Sequence, residues 1–224
     1  KLLKNAGIRR GLAHSVNMGM VIDTLFRGNM RRLGSYMEGY GDLTLPLKAP
    51  EYGKKKAMEY FARAGYREMG EDGVLKNERG ERLVVELTFA DSSTLMTNVC
   101  SILRQEALKC GVDLRLDPLT YNVCSRKVFE KRYQAALWAW PLQTPFPRLY
   151  ETFASELAYD ARGNPVGNTN NIFAVADTEL DAALDAERNA PDGAALKKAL
   201  HRAQKRIHEL CVWIPGWREP YTYV

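Results

Sequence analysis

Between residues 83 and 140, segments with the period of a β-strand alternate with segments with the period of an α-helix, and no other feature constrains the fold as strongly. In "LVVELTFA", apolar residues occupy every second position, as in a strand with one buried face. The predicted elements are a strand at 83–90, a helix at 93–110, a strand at 112–118, a helix at about 122–131 and a strand at 133–140. Two consecutive strand–helix–strand units predict three parallel strands in one sheet, covered by helices.

Capping residues mark the ends of the predicted helices. Asp91 or Ser92 is expected to begin the helix at 93–110, and Gly111 to end it. Asn17 is expected to cap a short helix that stops at Gly28. The remaining predicted elements are helices at 8–16, 51–64, 177–190 and 192–210, and loops at 33–50 and 155–176.

Two further segments have the pattern of strands. The segment "GVLKNERGERLVVELTFA" predicts a hairpin with its turn at "NERGE", and "CVWIPGW" predicts a final strand. The predicted fold class is therefore α/β, with a mixed, largely parallel central sheet flanked by helices.

The charge pattern argues against a nucleic-acid-binding surface. The chain of 224 residues has a formal charge of +5, but its basic runs are short and separated, as in "RR" at 9–10 and "KKK" at 54–56. No apolar run reaches the length of a membrane span. Hydrophobic residues make up 46% of the chain, which is enough for a core. We therefore expect a globular protein with no nucleic-acid partner.

Patterns that would indicate catalysis or metal binding are sparse. The four cysteines form no CxxC pair, and His201 and His208 lie two helical turns apart, about 10 Å, which is too far for joint metal ligation. The chain has no G-x-S-x-G elbow, P-loop or dinucleotide-binding fingerprint. We predict no cofactor, no metal site and no enzymatic activity. The alternative is a small-molecule hydrolase with a Ser or Cys nucleophile, for which Cys124 or Cys211 near His14 is the visible option, and one disulfide involving either cysteine is left open.

The strand at 133–140 ends in two tryptophans and runs into a proline-rich exit, "WAWPLQTPFP". Trp138 and Trp140 lie two residues apart, so both point to the same face of the strand. Ligands of parallel α/β sheets gather at the carboxyl ends of the strands, and prolines lower the entropy cost of ordering a loop around a ligand. Trp138 either joins such a site or packs beneath a helix. One wall of a ligand cleft is predicted to consist of Trp140, Pro141, Leu142, Gln143 and Thr144.

Six segments of the chain, in this order, carry a resemblance to a known family: "GIRRGLAHSVNMGMVIDTLFRG", "KKKAMEYFARAGY", "LVVELTFAD", "SILRQEALKCGVDLRL", "FEKRYQAALWAW" and "AQKRIHELCVWIPGW". Together they resemble the C-terminal lobe of family 5 extracellular solute-binding proteins, the periplasmic dipeptide- and oligopeptide-binding components of ABC importers. The loop "RRLGSYMEGYG" is most similar to the subgroup related to the microcin and murein-peptide binding protein.

The resemblance implies that residues 1–224 form one lobe of a type II periplasmic-binding-protein fold, with an N-terminal lobe of the same protein as its partner. The chain begins without Met and stops within a predicted strand, "EPYTYV", so we expect it to be a piece of a longer protein. A peptide or other small polar solute would be enclosed between the lobes and delivered to an inner-membrane ABC permease. The implied location is the periplasm, or the cell exterior with a lipid anchor.

The resemblance also suggests which residues contact the solute. Peptide-binding relatives commonly place an Asp three residues after the tryptophan to hold the peptide's ammonium group, and Gln143 stands at that position here. A neutral amide offers no charge pairing, so the solute is expected to be a modified peptide, a sugar derivative or another polar molecule. Further candidates are Tyr36, Tyr40, Asn170 and Asn171. For the tyrosines the alternative is loop packing, and for the asparagines it is a turn. Use as a sensor or a chaperone-like receptor is also left open.

Overall fold

The computed structural model describes residues 2–139 and 148–218. Among these residues the α-helices are α1 (Ala6–Ser15), α2 (Met18–Phe26), α3 (Lys54–Arg63), α4 (Thr94–Lys109), α5 (Tyr121–Phe129), α6 (Leu149–Phe153), α7 (Thr178–Arg188) and α8 (Gly193–Leu210). The strands are β1 (Arg31–Arg32), β2 (Tyr66–Met69), β3 (Leu75–Asn77), β4 (Val84–Ala90), β5 (Asp113–Leu119), β6 (Ala135–Leu137) and β7 (Trp217–Arg218). Short 3₁₀ helices cover Leu2–Lys4, Gly41–Leu43 and Ser155–Leu157.

The central sheet has the strand order β5-β4-β6, and both pairings are parallel. Leu87 of β4 lies opposite Leu116 of β5 on one side and Ala135 of β6 on the other. The prediction of three parallel strands connected by helices is therefore confirmed, and the fold is mixed α/β. The sequence did not show that β4, the first of the three in the chain, takes the central position.

The two faces of this sheet belong to two different cores. Val85, Leu87 and Phe89 of β4 face a large core that α1, α2, α3 and α4 complete. The opposite face carries Ala136 and packs beneath α5, with Cys124 among its buried residues. The sheet is thus covered on both sides, as a largely parallel sheet requires.

A third core holds the last helices and fastens the loop that precedes α3. α6, α7 and α8 pack together around Phe153, Leu184 and Leu200, and Met37 from the loop is buried among them. Gln204 of α8, only 1% exposed, accepts hydrogen bonds from Ser35 Oγ at 2.7 Å and from the backbone N–H of Leu45 at 2.9 Å. Its amide nitrogen also donates to the carbonyl of Leu43 at 2.8 Å. One buried side chain therefore supplies the partners that this irregular segment lacks.

The predicted hairpin forms next to its turn but does not extend along β4. The N–H of Gly80 bonds to the carbonyl of Asn77 in the turn. Across the two sides, the N–H of Asn77 bonds to the carbonyl of Glu81 at 3.0 Å, and the N–H of Leu83 bonds to the carbonyl of Leu75 at 2.7 Å. β3 also pairs with β2, a strand that the sequence analysis missed, and β4 continues into the central sheet, where it pairs in parallel with β5.

Helix ends were predicted to within a few residues. Ser93, rather than Asp91 or Ser92, caps α4 by accepting from the N–H of Met96. Gly111 follows that helix with a positive φ of 85°, in agreement with its predicted role. Of the predicted final strand at 211–217, the structure shows residues 211–216 outside any strand, while Trp217 begins β7, which pairs antiparallel with β1. The sequence analysis did not predict α6, because the prolines that precede it favour a loop at this position.

Replacing Gln204 with alanine should lower the free energy of unfolding by about 2–4 kcal/mol, since the N–H of Leu45, the carbonyl of Leu43 and the Ser35 hydroxyl lose their partner. Arg202→Ala, a substitution at an exposed position of the same helix, should alter the free energy of unfolding by no more than about 0.5 kcal/mol. Urea unfolding followed by circular dichroism measures both. Equal midpoints for Q204A and the parent would show that the loop does not depend on this residue.

Candidate functional site

The carboxyl ends of the three parallel strands meet at one edge of the sheet. Ala90 at the end of β4 lies opposite Leu119 at the end of β5, and Phe89 lies opposite Leu137 at the end of β6. We call residues 90–95, 119–123 and 137–139 the carboxyl edge. α4 and α5 both begin there, so their free N–H groups are directed toward the same region. This is where open α/β sheets bind ligands.

A closed polar network holds α5 against the sheet just beneath this edge. Lys127 Nζ lies 2.8 Å from Glu86 Oε1 and 2.7 Å from Asp117 Oδ2, and the same Asp117 oxygen accepts from Thr88 Oγ1 at 2.8 Å. Hydrogen bonds from Asp117 and Glu86 raise the pKa of Lys127. Burial acts to raise the pKa of Asp117, but its bonds to Lys127 and Thr88 outweigh burial and lower it. These charges pair with each other and position the edge, rather than facing a ligand.

The carboxyl edge presents an exposed aromatic side chain that the sequence analysis missed. Tyr121, the first residue of α5, is 62% exposed and stacks on Trp138 with the ring centroids 6.3 Å apart and an interplanar angle of 15°. Val123 and Leu95 are also exposed at this edge. The sequence did contain a signal for this position. Thr120 is a typical N-cap residue and directly follows a strand, so the next residue, Tyr121, is expected to begin a helix at the end of that strand.

Trp138 lies beneath α5, the packing that the sequence analysis left open as an alternative. Phe129 contacts its ring edge-on at 5.9 Å, and the indole belongs to the core on the α5 face of the sheet. Its Nε1 is buried without a hydrogen-bond partner. Trp138 therefore supports Tyr121 from below. Trp140, Pro141, Leu142, Gln143 and Thr144 lie outside the described residues, so their contact with a solute stays a prediction.

Tyr36 and Tyr40 lie in the helical core rather than at the carboxyl edge. The Tyr36 ring meets Phe153 edge-on at 4.8 Å and Trp213 edge-on at 5.3 Å, and burial raises the pKa of its hydroxyl. Tyr40 is half-buried against the same core and precedes the short helix Gly41–Leu43. Both rings pack the loop onto the helices, which is the alternative that the sequence allowed.

Asn170 and Asn171 form a turn. The N–H of Ile172 donates to the carbonyl of Asn170 at 2.8 Å. Asn171 is fully buried, and its amide nitrogen donates to the carbonyls of Ala154 at 2.9 Å and Val175 at 3.1 Å. Its side-chain oxygen accepts from the N–H of Val175. The geometry accounts for Asn171 as a structural residue, with both ends of its amide occupied inside the protein.

The groups that a cysteine hydrolase would need are buried. All four cysteines are unpaired and buried. Burial raises the pKa of the Cys124 and Cys211 thiols, which is the opposite of an activated nucleophile. His14 is itself buried, with Nδ1 2.6 Å from the carbonyl oxygen of Glu51. Among the described residues, no three His, Cys, Asp or Glu side chains come together as a metal site.

Comparisons with known proteins identify the family and the fold. The family model for bacterial extracellular solute-binding proteins, family 5 Middle, matches residues 1–157. No curated protein matches the chain. Among solved structures, the oligopeptide-binding protein AppA from Bacillus subtilis, in complex with a nonapeptide, superposes with a TM-score of 0.85 at 17% identity, over 99% of this chain and 45% of that one.

Two further structures show the same fold. NikZ from Campylobacter jejuni, in complex with Ni(L-His), has a TM-score of 0.78 at 21% identity, over 97% of this chain and 42% of its own. The periplasmic binding protein DppA from Helicobacter pylori, in complex with the peptide STSA, has a TM-score of 0.78 at 17% identity, over 97% of this chain and 39% of its own. This chain thus spans less than half the length of each of these proteins and is part of a periplasmic-binding-protein fold. Within the described residues, no helix has both the length and the apolar character that a membrane crossing requires.

Thiol labelling at pH 7 should be slow at all four cysteines, because burial raises their pKa values, to about 12 in the case of Cys100. We expect the native protein to react at least about a hundredfold more slowly than the same protein unfolded in urea. Mass spectrometry after iodoacetamide treatment gives the rate for each cysteine. Fast native labelling of Cys124 or Cys211 would restore the hydrolase hypothesis.

Proposed function

The chain belongs to the bacterial extracellular solute-binding proteins of family 5, and we propose that it is the C-terminal lobe of a two-lobed receptor that captures a small polar solute. The solute would lie between the carboxyl edge of this lobe and the N-terminal lobe. After closure, the receptor would deliver it to an inner-membrane ABC permease. The proposed location is the periplasm, or the cell exterior with a lipid anchor. The family is one of solute-binding proteins rather than enzymes, in keeping with the absence of an activated nucleophile among the described residues.

The observation that carries this proposal is the exposed aromatic surface at the carboxyl edge. A tyrosine that is 62% exposed and is backed by a tryptophan presents an aromatic ring that is suited to stacking against a solute. The segment Trp140–Thr144 follows β6 directly from the same edge. We propose that this segment completes the wall, with Gln143 as its main polar contact and the backbone as a further source of hydrogen bonds.

The proposed solute is a peptide or a related polar molecule that does not depend on a free amino terminus. Solved structures of this fold hold a nonapeptide, the peptide STSA and a nickel–histidine complex, so the scaffold accepts solutes of different chemistry. Gln143 lacks the charge that would hold an ammonium group. The loop "RRLGSYMEGYG" supports a finer placement, in the subgroup related to the microcin and murein-peptide binding protein. In the structure, Gln204 fastens the continuation of that loop to α8 through the N–H of Leu45.

Calorimetry with pairs of peptides that differ only in N-terminal acetylation tests the role of Gln143. The intact protein should bind both members of a pair within about threefold of each other. Gln143→Asp should bind the free-amine peptide about tenfold more tightly than the acetylated one, because a charge-assisted hydrogen bond is stronger by about 1.4 kcal/mol. A strong preference for the free amine in the parent protein would contradict the proposed solute class. No heat change with peptides or with sugars, from protein that is fully folded, would remove the receptor proposal.

Tyr121→Ala should weaken solute binding about 5- to 30-fold, since stacking against one aromatic ring contributes about 1–2 kcal/mol. Met69→Ala is the control, because Met69 is also exposed, at 44%, but lies on the β2–β3 hairpin away from the edge. Both variants should unfold at the urea midpoint of the parent to within small differences. Unchanged affinity in Y121A would exclude the carboxyl edge around Tyr121 from the binding surface.

A further inference from the structure

A pocket of about 600 Å³ opens among the last helices. Its walls come from the 3₁₀ helices Gly41–Leu43 and Ser155–Leu157, from the start of α6, from the end of α7 and from the first half of α8. The described side chains that line it lie outside the carboxyl edge. The pocket is therefore a different site from that edge.

One wall of this pocket is apolar. Leu43, Leu157 and Leu196 come from three separate elements and are half-buried against the core of the last helices, so part of each side chain remains accessible in the pocket. Leu200, one helical turn after Leu196, is 1% exposed and belongs to the core behind them. An aliphatic chain placed along this wall would remove apolar surface from water.

The two acidic side chains of the lining are already engaged with the protein. Glu151 pairs with Arg148 at 3.0 Å, so these two charges offset each other. Glu187 Oε1 accepts from the N–H of Leu149 at 3.2 Å, and Oε2 is buried. Burial raises the pKa of Glu187 to about 7, so near neutral pH this group contributes less than one negative charge.

Arg188 is a cation of the pocket lining that no acid pairs with. This exposed side chain holds its guanidinium over the Tyr150 ring, 4.1 Å from the centroid. The Tyr150 hydroxyl donates to Glu156 at 2.6 Å, which fixes the ring in place. Within residues 2–139 and 148–218, the guanidinium of Arg188 has neither a salt bridge nor a hydrogen-bond acceptor.

A guanidinium that stacks on an aromatic face still has its N–H groups free, because they point outward in the plane of the group. Two of them can donate to the two oxygens of one carboxylate. Stacking also restricts the arginine side chain before a ligand arrives, so less entropy is lost on binding. An unpaired, pre-positioned guanidinium beside an apolar wall fits an anion with an apolar body.

We propose that this pocket binds a small molecule that carries a carboxylate on an aliphatic body, with the carboxylate on Arg188 and the chain along Leu43, Leu157 and Leu196. The planar carboxylate matches the fork of the guanidinium, and the chain covers the accessible part of the leucines. This site goes beyond the proposed receptor function and does not rest on it.

The test is calorimetric titration of the intact protein with n-octanoate at pH 6, with n-octanol as the neutral analogue. At this pH an alkanoate is ionised, since a carboxyl group in water has a pKa of about 4–5, whereas about nine-tenths of Glu187 is protonated. Octanoate should bind about tenfold more tightly than octanol, because its hydrogen bonds to Arg188 are charge-assisted. Salt at about 0.5 M should reduce that difference by screening the exposed charges.

Variants of Arg188 assign the charge preference to this pocket. Arg188→Gln removes the charge and should bring octanoate to within about twofold of octanol, whose affinity should stay as in the parent. Arg188→Lys keeps the charge without the planar fork and should recover part of the preference. Arg104→Gln makes the same charge change at an exposed position of α4 and should bind octanoate like the parent.

Two further variants locate the aliphatic chain. Leu196→Ala should weaken octanoate and octanol alike, by about 3- to 10-fold, because both lose the same apolar contact. Tyr121→Ala alters the carboxyl edge and should bind octanoate like the parent. Urea unfolding midpoints show that each variant is folded. Equal affinity of the parent for octanol and octanoate, parent-like octanoate binding by R188Q, loss of octanoate binding in Y121A, or no binding at millimolar concentration would each overturn the proposal.

Discussion

Parallel pairing of β4 on both sides is the constraint on which the rest of the structure depends. β4 pairs with β5 over seven positions and with β6 over three, so its polar backbone groups are satisfied by two neighbours. Parallel strands need crossover connections. α4 therefore connects β4 to β5 on one side of it, and α5 connects β5 to β6 on the other side of β4. The side-chain clusters place these helices on opposite faces of the sheet. One consequence is that all three strands end at a single edge, from which a ligand-binding surface can be built.

Buried charged side chains are paired differently in the two parts of the molecule. Under the carboxyl edge, Lys127, Asp117, Glu86 and Thr88 form a closed network in which each charge has a partner. Such a network rigidifies the surface above it, because breaking one contact would leave another group unpaired. Among the last helices, by contrast, Glu187 is held by the backbone, since Oε1 accepts from the N–H of Leu149 at 3.2 Å and so joins the end of α7 to the start of α6. Because burial is not balanced by a cationic partner, the pKa of Glu187 is raised to about 7.

The edge of the sheet at which the candidate site is proposed could be located from the sequence, but the side chains exposed there could not. The sequence placed the strand end at 133–140 at the carboxyl edge, because the βαβ pattern fixes the direction of each strand, and β6 does end there. Tyr121 was missed, since its exposure depends on how α5 lies across the sheet. Asn171 was a reasonable candidate as a polar residue in a loop, yet its amide bridges Ala154 and Val175 inside the protein. Polarity alone does not distinguish a side chain that awaits a ligand from one that closes a loop.

The sequence by itself determined which segments become helices or strands, where most of them end, and that the strands at the heart of the molecule run parallel. These properties depend on neighbouring residues, through the periods of 2 and 3.6, capping side chains such as Asn17 and Asp177, and the positive φ of Gly111. Only the tertiary structure decided that β4 is central, that β3 pairs with β2, that Gln204 holds a loop about 160 positions away, and that Glu187 bonds to the start of α6. Those outcomes depend on contacts between residues far apart in the chain, and burial in such contacts outweighs the local preferences that a single sequence displays.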